Sequence, residues 1–103
     1  MDQNEINEIL DRYIDAVKKH CVPRMVVLYG SYAKGTARED SDIDIAVIVD
    51  QISGDYLDQI FLLYKIRRDI DDRIEPVLLE STDDPSGFLD EIKRTGRILY
   101  QAA

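Results

Sequence analysis

The apolar residues at the start of the chain recur at the spacing of a helix face. Five of them stand three or four positions apart: Ile6, Leu10, Ile14, Val17 and Cys21. Side chains at this spacing lie on one side of an α-helix. Pro23 follows, and a proline inside a helix removes a backbone hydrogen bond and clashes with the preceding turn. The pattern therefore predicts an amphipathic helix over residues 2–21, with its apolar side against a sheet.

Two later segments have the patterns of strands. Residues 24–29 are rich in branched side chains and end at Gly30, which favours a buried first strand. Residues 42–49 have a period of two, so successive side chains point to opposite faces. One face carries Ile43, Ile45, Val47 and Val49, and the other carries Asp42, Asp44, Ala46 and Ile48. The second predicted strand thus has one fully apolar face and one face that begins with two carboxylates.

A turn and a second helix are predicted around these strands. Residues 31–41 have the composition of a turn with one short helical segment. Ser53 is a suitable cap for a helix that runs to about residue 70. The apolar side chains expected on or near its buried side are Leu57, Ile60, Phe61, Leu63 and Tyr64. Three basic residues, Lys65, Arg67 and Arg68, lie near the end of this helix, and aspartates follow them. This pattern predicts a solvated helix end with salt bridges.

The last third of the chain predicts a strand, a helix and a short final strand. Pro76 gives the strand over residues 73–79 an edge position or a bulge, because proline cannot donate to a sheet. Asp84 and Pro85 open a helix that Gly96 ends, and residues 97–100 add a strand. This order predicts an α/β (α+β) sandwich, a small mixed sheet with helices packed on one face. At 103 residues we expect one domain over 1–103.

Charge and composition exclude several classes of protein. The formal net charge is −8 at pH 7, which argues against non-specific binding to a long nucleic acid. No apolar run approaches the ~20 residues needed to cross a bilayer, and the acidic N-terminus lacks the features of a signal peptide. Cys21 is the only cysteine, so no internal disulfide can form. We therefore expect a cytoplasmic protein that does not enter membranes.

Candidate chemistry lies where the first two predicted strands meet. Asp42 and Asp44 share one face of a strand, and paired carboxylates are ligands that Mg²⁺ prefers. Gly30 ends the preceding strand and lets the backbone approach a ligand closely. Ser31 adds a hydroxyl donor. A pair of exposed acids or a plain turn explains each feature alone, so the case for a phosphate and metal site depends on the two features occurring together.

This spacing resembles the signature of the minimal nucleotidyltransferases of the DNA polymerase β superfamily, a Gly-Ser pair, ten residues and then Asp-x-Asp. Gly30 and Ser31 precede Asp42 and Asp44 with ten residues between them. The resemblance implies the polymerase-β-like nucleotidyltransferase fold and transfer of AMP from ATP to a hydroxyl. It also implies that the Gly-Ser pair holds the β and γ phosphates and that the two aspartates hold two Mg²⁺ ions.

The resemblance also implies a third carboxylate from the next strand and cationic contacts to the triphosphate. Glu75 is the candidate for the third carboxylate, with Asp72 in reserve, although many relatives have Asp there. Lys34 and Arg38 in the connecting turn are candidates to neutralise triphosphate oxygens. Lys34 stands where family members often have Arg, and lysine supplies charge without a two-pronged donor.

The short chain has no substrate domain, so the resemblance implies that a partner presents the acceptor. In toxin–antitoxin pairs of this family, the transferase neutralises a HEPN ribonuclease by adding AMP to a tyrosine, which predicts an antitoxin acting in a homo- or hetero-oligomer. One alternative is a non-catalytic module of the same fold that neutralises or scaffolds its partner by binding. Another is an antibiotic-modifying transferase, which normally requires an additional drug-binding domain.

Overall fold

The computed structural model describes residues 3–103, in which four strands form one sheet and four helices pack around it. The helices are α1 (Gln3–Lys18), α2 (Ser31–Lys34), α3 (Tyr56–Arg67) and α4 (Phe88–Thr95). The strands are β1 (Met25–Tyr29), β2 (Ile43–Val49), β3 (Ile74–Glu80) and β4 (Arg97–Gln101). The predicted order of elements is confirmed. No helix within the described range is both long and apolar enough to traverse a lipid bilayer.

The sheet is mixed, with strand order β3-β2-β1-β4. β1 lies antiparallel to both β2 and β4, whereas β2 and β3 run parallel and are joined through α3. β3 is therefore an edge strand, as Pro76 predicts, and Pro76 keeps regular register opposite Ile45. β2 is central, and six of its seven residues are buried. The exception is Asp44.

The two faces of the sheet are covered by different helices. α1 and α3 pack on the face that carries Ile43, Ile45 and Val47. α4 packs on the opposite face, where Leu89 and Ile92 lie in one cluster with Ala46 and Ile48. The α/β fold class is confirmed, but the expectation that the helices pack on a single face is wrong for α4. The reason is that this face of β2 is apolar beyond the two aspartates. Its apolar residues are buried only when a helix, here α4, packs over them.

The first helix is shorter than predicted and is tied to α3. α1 ends at Lys18 rather than at residue 21 because the next turn tightens, with the His20 N–H donating to the Val17 carbonyl at 3.0 Å. Residue 2 lies outside the described residues. Tyr13 is fully buried, and its hydroxyl donates to the Leu63 carbonyl at 2.9 Å. This bond satisfies the buried hydroxyl and fixes α1 against α3.

The second predicted helix differs most from expectation. α3 begins after Asp55, whose carboxylate accepts the Leu57 N–H at 2.8 Å, so Asp55 and not Ser53 is the cap. Leu63 is buried as predicted, but Leu57 and Phe61 are 58% and 66% exposed. α3 is apolar on more than one side, and only one side faces the sheet. Residue type alone therefore could not identify its buried side.

Candidate active site

A glycine turn ends β1 at the edge of the candidate site. Gly30 follows Tyr29 with φ +73° and begins the short helix α2. Residues other than glycine rarely adopt this backbone region. The Gly30 carbonyl accepts the Lys34 N–H at 3.1 Å, and the Ser31 carbonyl accepts the Thr36 N–H at 3.0 Å. The N–H groups of this first turn have no acceptor within α2, so they remain available to an anion.

Gly30 lies in direct contact with Asp44. A Cβ atom placed on Gly30 would overlap Oδ2 of Asp44 and crowd its Cγ. The absence of a side chain at Gly30 therefore allows the β1–α2 turn and the Asp44 carboxylate to share one small volume. The structure thus brings together the two halves of the Gly-Ser and Asp-x-Asp motif.

Three neighbouring strands contribute one residue each to a row across the sheet. Asp44 is the register partner of Tyr29 on β1 and of Glu75 on β3. Register partners on adjacent strands point to the same face, so the two carboxylates lie side by side. Asp42 precedes β2 and is exposed, two positions before Asp44 on the same side. The structure therefore places all three predicted carboxylates at one end of the sheet.

Negative charge is concentrated in this row. Partial burial, with smaller contributions from Asp42 and Glu75, raises the pKa of Asp44. Burial, together with Asp44, Tyr64 and Glu75, raises the pKa of Tyr29 to about 12. Both shifts mean that additional negative charge is unfavourable here. A bound cation would relieve this repulsion.

The Glu75 carboxylate is already engaged by two residues of α3. The Tyr64 hydroxyl donates to Oε2 of Glu75 at 3.0 Å, and Nη1 of Arg67 lies 3.4 Å from Oε1. The Arg67 guanidinium also lies 4.7 Å from the centroid of the Tyr64 ring. Burial and the hydrogen bond to Glu75 raise the pKa of the Tyr64 hydroxyl. Glu75 is therefore oriented towards α3 in this structure.

The side chains of the site supply some, but not all, of the oxygen ligands that a divalent cation requires. Asp42 and Asp44 are oxygen donors of the kind that Mg²⁺ prefers, and burial, with smaller contributions from Asp42 and Glu75, raises the pKa of Asp44. Among residues 3–103, however, no three His, Cys, Asp or Glu side chains are grouped closely enough to hold a metal ion. A shared ion would require Glu75 to leave Tyr64 or Arg67. Asp42 and Asp44 are thus suitable ligands for a divalent cation, whereas Glu75 becomes one only after its side chain moves away from α3.

The two predicted phosphate-binding cations are exposed beside the turn. Lys34 ends α2, and Arg38 lies in the following loop. Neither side chain makes a hydrogen bond or ion pair with another residue in the described part of the chain. The backbone of Arg38 is held more firmly, because its N–H donates to the Ser41 hydroxyl at 2.8 Å. Their role towards a triphosphate stays a prediction.

A second ion pair supports the loop that carries Arg38. Arg73 donates to both oxygens of Asp71, at 2.9 Å and 2.6 Å, and also to the Glu39 carbonyl at 2.9 Å. These bonds join the start of β3 to the loop after α2. The hydrogen bonds from Arg73 lower the pKa of Asp71 despite its partial burial. Asp72, the reserve ligand, is exposed, and its carbonyl accepts from Arg67 at 2.9 Å.

Sequence patterns alone did not identify Tyr29, Tyr64 and Arg67 as site residues. Tyr29 ends a strand next to the glycine turn, and that position is a usable signal. Tyr64 was expected on the buried side of its helix, and Arg67 at a solvated helix end. The salt bridge expected for Arg67 is present, with Glu75 as its partner, but its solvated position is wrong, because the side chain is partly buried and also donates to the Ile74 carbonyl at 2.8 Å. Only the packing of α3 beside β3 reveals these contacts.

A four-stranded mixed sheet that places a Gly-Ser turn against an Asp-x-Asp strand defines the nucleotidyltransferase class. Residues 4–103 match the family described as Polymerase beta, Nucleotidyltransferase, and the chain belongs to that family. The family resemblance seen in the motif is therefore confirmed.

Two sequence relatives come from Methanocaldococcus jannaschii. Putative protein adenylyltransferase MJ1305 is 33% identical over 93 residues, which cover 81% of this chain and 60% of that protein. This chain therefore spans less than two thirds of the length of that relative. Putative protein adenylyltransferase MJ0141 is 31% identical over 99 residues, which cover 89% of this chain and 96% of that protein.

Solved structures share the fold. A crystal structure of a toxin-antitoxin with AMP-PNP has a TM-score of 0.67 at 21% identity, covering 99% of this chain and 75% of that one. A putative nucleotidyltransferase from Sulfolobus solfataricus has a TM-score of 0.63 at 19% identity, covering 95% and 78%. At these identities the likeness supports the fold alone.

Proposed function

We propose that this chain is a metal-dependent nucleotidyltransferase that transfers AMP from ATP to a hydroxyl of a protein partner. The observation that carries the proposal is the contact between Gly30 and Asp44. This contact places a turn with free N–H groups beside a carboxylate that favours a cation. A nucleoside triphosphate with a bound divalent cation requires N–H donors and a carboxylate close together.

Each residue of the site would have its own role in the reaction. Ser31 and the N–H groups after Gly30 would hold the leaving pyrophosphate, aided by Lys34 and Arg38. Asp42 and Asp44 would hold one or two Mg²⁺ ions, and Glu75 would join them after release from α3. When bound, the ions stabilise charge on the attacking and departing oxygens. Glu75 would also accept the proton of an incoming hydroxyl.

We propose that the acceptor is a tyrosine of a HEPN-type toxin and that this chain is its cytoplasmic antitoxin. The support is the resemblance of the motif, together with relatives named as protein adenylyltransferases. A toxin–antitoxin complex is also among the proteins that share the fold. The charge of −8 is compatible with a protein acceptor and disfavours a long nucleic acid.

Incubation with ATP labelled at the α phosphate, Mg²⁺ and the product of the neighbouring gene tests this function. We expect label on the partner with the wild-type chain and none with Asp44→Asn. Asp11→Asn, a change at an exposed position of α1, is the matched control and should retain labelling. Absence of label on the partner with the wild-type chain, together with no heat of binding for ATP and Mg²⁺, would refute the proposal.

The second candidate function is a non-catalytic module that blocks its partner by contact. The engagement of Glu75 by Tyr64 and Arg67 favours it, since this carboxylate is not free to join the two aspartates. Neutralisation of the partner distinguishes the two functions. If Asp44→Asn neutralises the partner as well as the wild type does, the module is correct and the transferase is not.

A further inference from the structure

We infer that Tyr64 is a self-modification site, whose hydroxyl receives AMP from ATP when no partner occupies the acceptor position. This inference rests on the proposed nucleotidyl transfer and adds an acceptor within the chain itself. It assigns a role to the contact between Tyr64 and Glu75, which the proposed transfer to a partner does not use.

The position of the Tyr64 hydroxyl carries the inference. Its oxygen lies 3.0 Å from Oε2 of Glu75, and Glu75 is the register partner of Asp44 on the adjacent strand. A carboxylate that accepts a hydrogen bond from a hydroxyl is in position to take its proton when the hydroxyl attacks. The Tyr64 hydroxyl therefore lies beside the carboxylate that would take an acceptor's proton, and this carboxylate is the neighbour of Asp44, which contacts the Gly30 turn.

None of the other tyrosine hydroxyls in the described part of the chain donates to a carboxylate of the site, although Tyr29 is the register partner of Asp44. Tyr13 is fully buried and donates to the Leu63 carbonyl, and Tyr32 donates to the Arg38 carbonyl at 3.2 Å. The Tyr29 ring packs edge-on against Phe88, with ring centroids 5.5 Å apart. Tyr56 and Tyr100 do not contact the three carboxylates. Within residues 3–103, Tyr64 is the tyrosine whose hydroxyl donates to a carboxylate of the site.

Arg67 fixes the orientation of this acceptor. Its guanidinium lies 4.7 Å from the Tyr64 ring centroid and 3.4 Å from Oε1 of Glu75. The ring and the carboxylate are thus held by the same cation, which limits their relative motion. Tyr64 is only partly buried, so a nucleotide can approach its hydroxyl. Orientation of this kind favours an intramolecular reaction over one that requires a collision.

The step balances without any oxidant or reductant. The Tyr64 oxygen attacks the α-phosphorus of ATP, and its proton passes to Glu75. The bond from the α-phosphorus to the bridging oxygen breaks, and pyrophosphate leaves with the electron pair. The products are a phosphodiester between Tyr64 and AMP, pyrophosphate and one proton. Modified Tyr64 can no longer donate to Glu75, and its adenylyl group fills the acceptor position.

The test uses the full chain alone with ATP labelled at the α phosphate and Mg²⁺. Intact-mass measurement, followed by peptide fragmentation, identifies any adenylylated residue, both after incubation and in the protein as purified from cells. We expect one adenylyl group on Tyr64. The labelled fraction should grow at the same rate after roughly tenfold dilution of the protein, since the reaction is intramolecular. Tyr64→Phe should lower the label at least about tenfold.

Two variants and one parallel assay make the result decisive. Tyr56→Phe is the matched control, because Tyr56 is on the same helix, 47% exposed and away from Glu75. This variant should retain the label, and Asp44→Asn should lose it. If the chain incubated alone leaves Tyr64 unmodified while the parallel assay labels the partner protein, this inference is overturned and the proposed function stays intact. Label mapped to another residue would also overturn it, and no label on either protein with no ATP binding would overturn both.

Discussion

Gly30 and Asp44 occupy positions so close that one additional carbon on Gly30 would displace the Asp44 carboxylate. The two residues lie on adjacent strand ends, 14 positions apart in the chain. Their contact joins the backbone turn proposed to bind the triphosphate to the carboxylate proposed to bind Mg²⁺. The predictions below begin with this contact.

Gly30→Ala should impair both stability and nucleotide binding. Alanine at φ +73° is strained, and its Cβ would push Asp44 out of position, so we expect a loss of about 1–3 kcal/mol of unfolding free energy. Urea denaturation and calorimetric titration with ATP and Mg²⁺ measure the two effects.

Gly54→Ala is the matched control for this substitution. Gly54 has φ +77° but no atom within 4 Å of its added Cβ, so only the backbone strain is shared. We expect a smaller cost of roughly 1 kcal/mol and unchanged ATP binding. Equal ATP affinity for the Gly30→Ala and wild-type chains would contradict a role for the Gly30–Asp44 contact in binding.

Asp44→Asn should stabilise the cation-free protein while removing transfer activity. Burial, Asp42 and Glu75 raise the pKa of Asp44 above the ordinary value of 3.8, so the charged form is disfavoured in the folded state. Its cost is absent below that value, where the carboxyl is protonated in both states, and appears as the pH rises through the folded-state pKa. At pH 7 we therefore expect the variant to be more stable than the wild type.

Denaturation at pH 7 and at a pH below 3.8 checks this sign. The gain of Asp44→Asn over wild type should shrink at the lower pH, and Asp11→Asn should show no comparable gain. Added Mg²⁺ should stabilise the wild type more than Asp44→Asn, because binding to the folded state raises its stability. A variant that is less stable than wild type at pH 7 without Mg²⁺ would contradict the electrostatic account.

Asp71→Asn should have the opposite pH dependence. Hydrogen bonds from Arg73 lower the pKa of Asp71, so its contribution is present above the ordinary value of 3.8 and is lost as the pH falls through the folded-state pKa. The pair is mostly buried, with side chains 17% and 20% exposed. We expect a loss of about 1–2 kcal/mol at neutral pH that declines in acid.

The exposed pair of Asp90 and Arg94 provides the comparison for this change. Its side chains are 73% and 65% exposed, so Asp90→Asn should cost no more than about 0.5 kcal/mol. Urea titrations of both variants at neutral and acid pH give the difference. If the two variants lose equal stability, the Asp71–Arg73 pair does not fix the loop.

Arg67→Gln should destabilise the fold, although charge patterns place it at a solvated helix end. Nη1 of Arg67 donates to the Ile74 carbonyl at 2.8 Å and to the Asp72 carbonyl at 2.9 Å, besides its contact with Glu75. Loss of these bonds should cost about 1–3 kcal/mol. Arg68→Gln, at the exposed neighbouring position, should remain close to wild type in thermal unfolding. Equal losses would show that helix content, and not these bonds, sets the effect.

The sequence predicted β2 and its two faces because alternation along one strand is a local pattern. Asp42 and Asp44 fall on the predicted side, and Glu75 falls opposite Asp44. The contacts of Glu75 with Tyr64 and Arg67 were not predictable, since they depend on how α3 packs beside β3. The buried side of α3 was partly mispredicted because Leu57 and Phe61 have the side chains of core residues but face outward.

The connectivity of the sheet gives the site an order of assembly. β1 and β2 are consecutive and antiparallel, so the Gly30–Asp44 contact requires only a local hairpin. Glu75 joins through the parallel crossover that contains α3, and closing longer loops is slower. During folding, we therefore expect the Gly30 turn and the two aspartates to come together before Glu75 joins them.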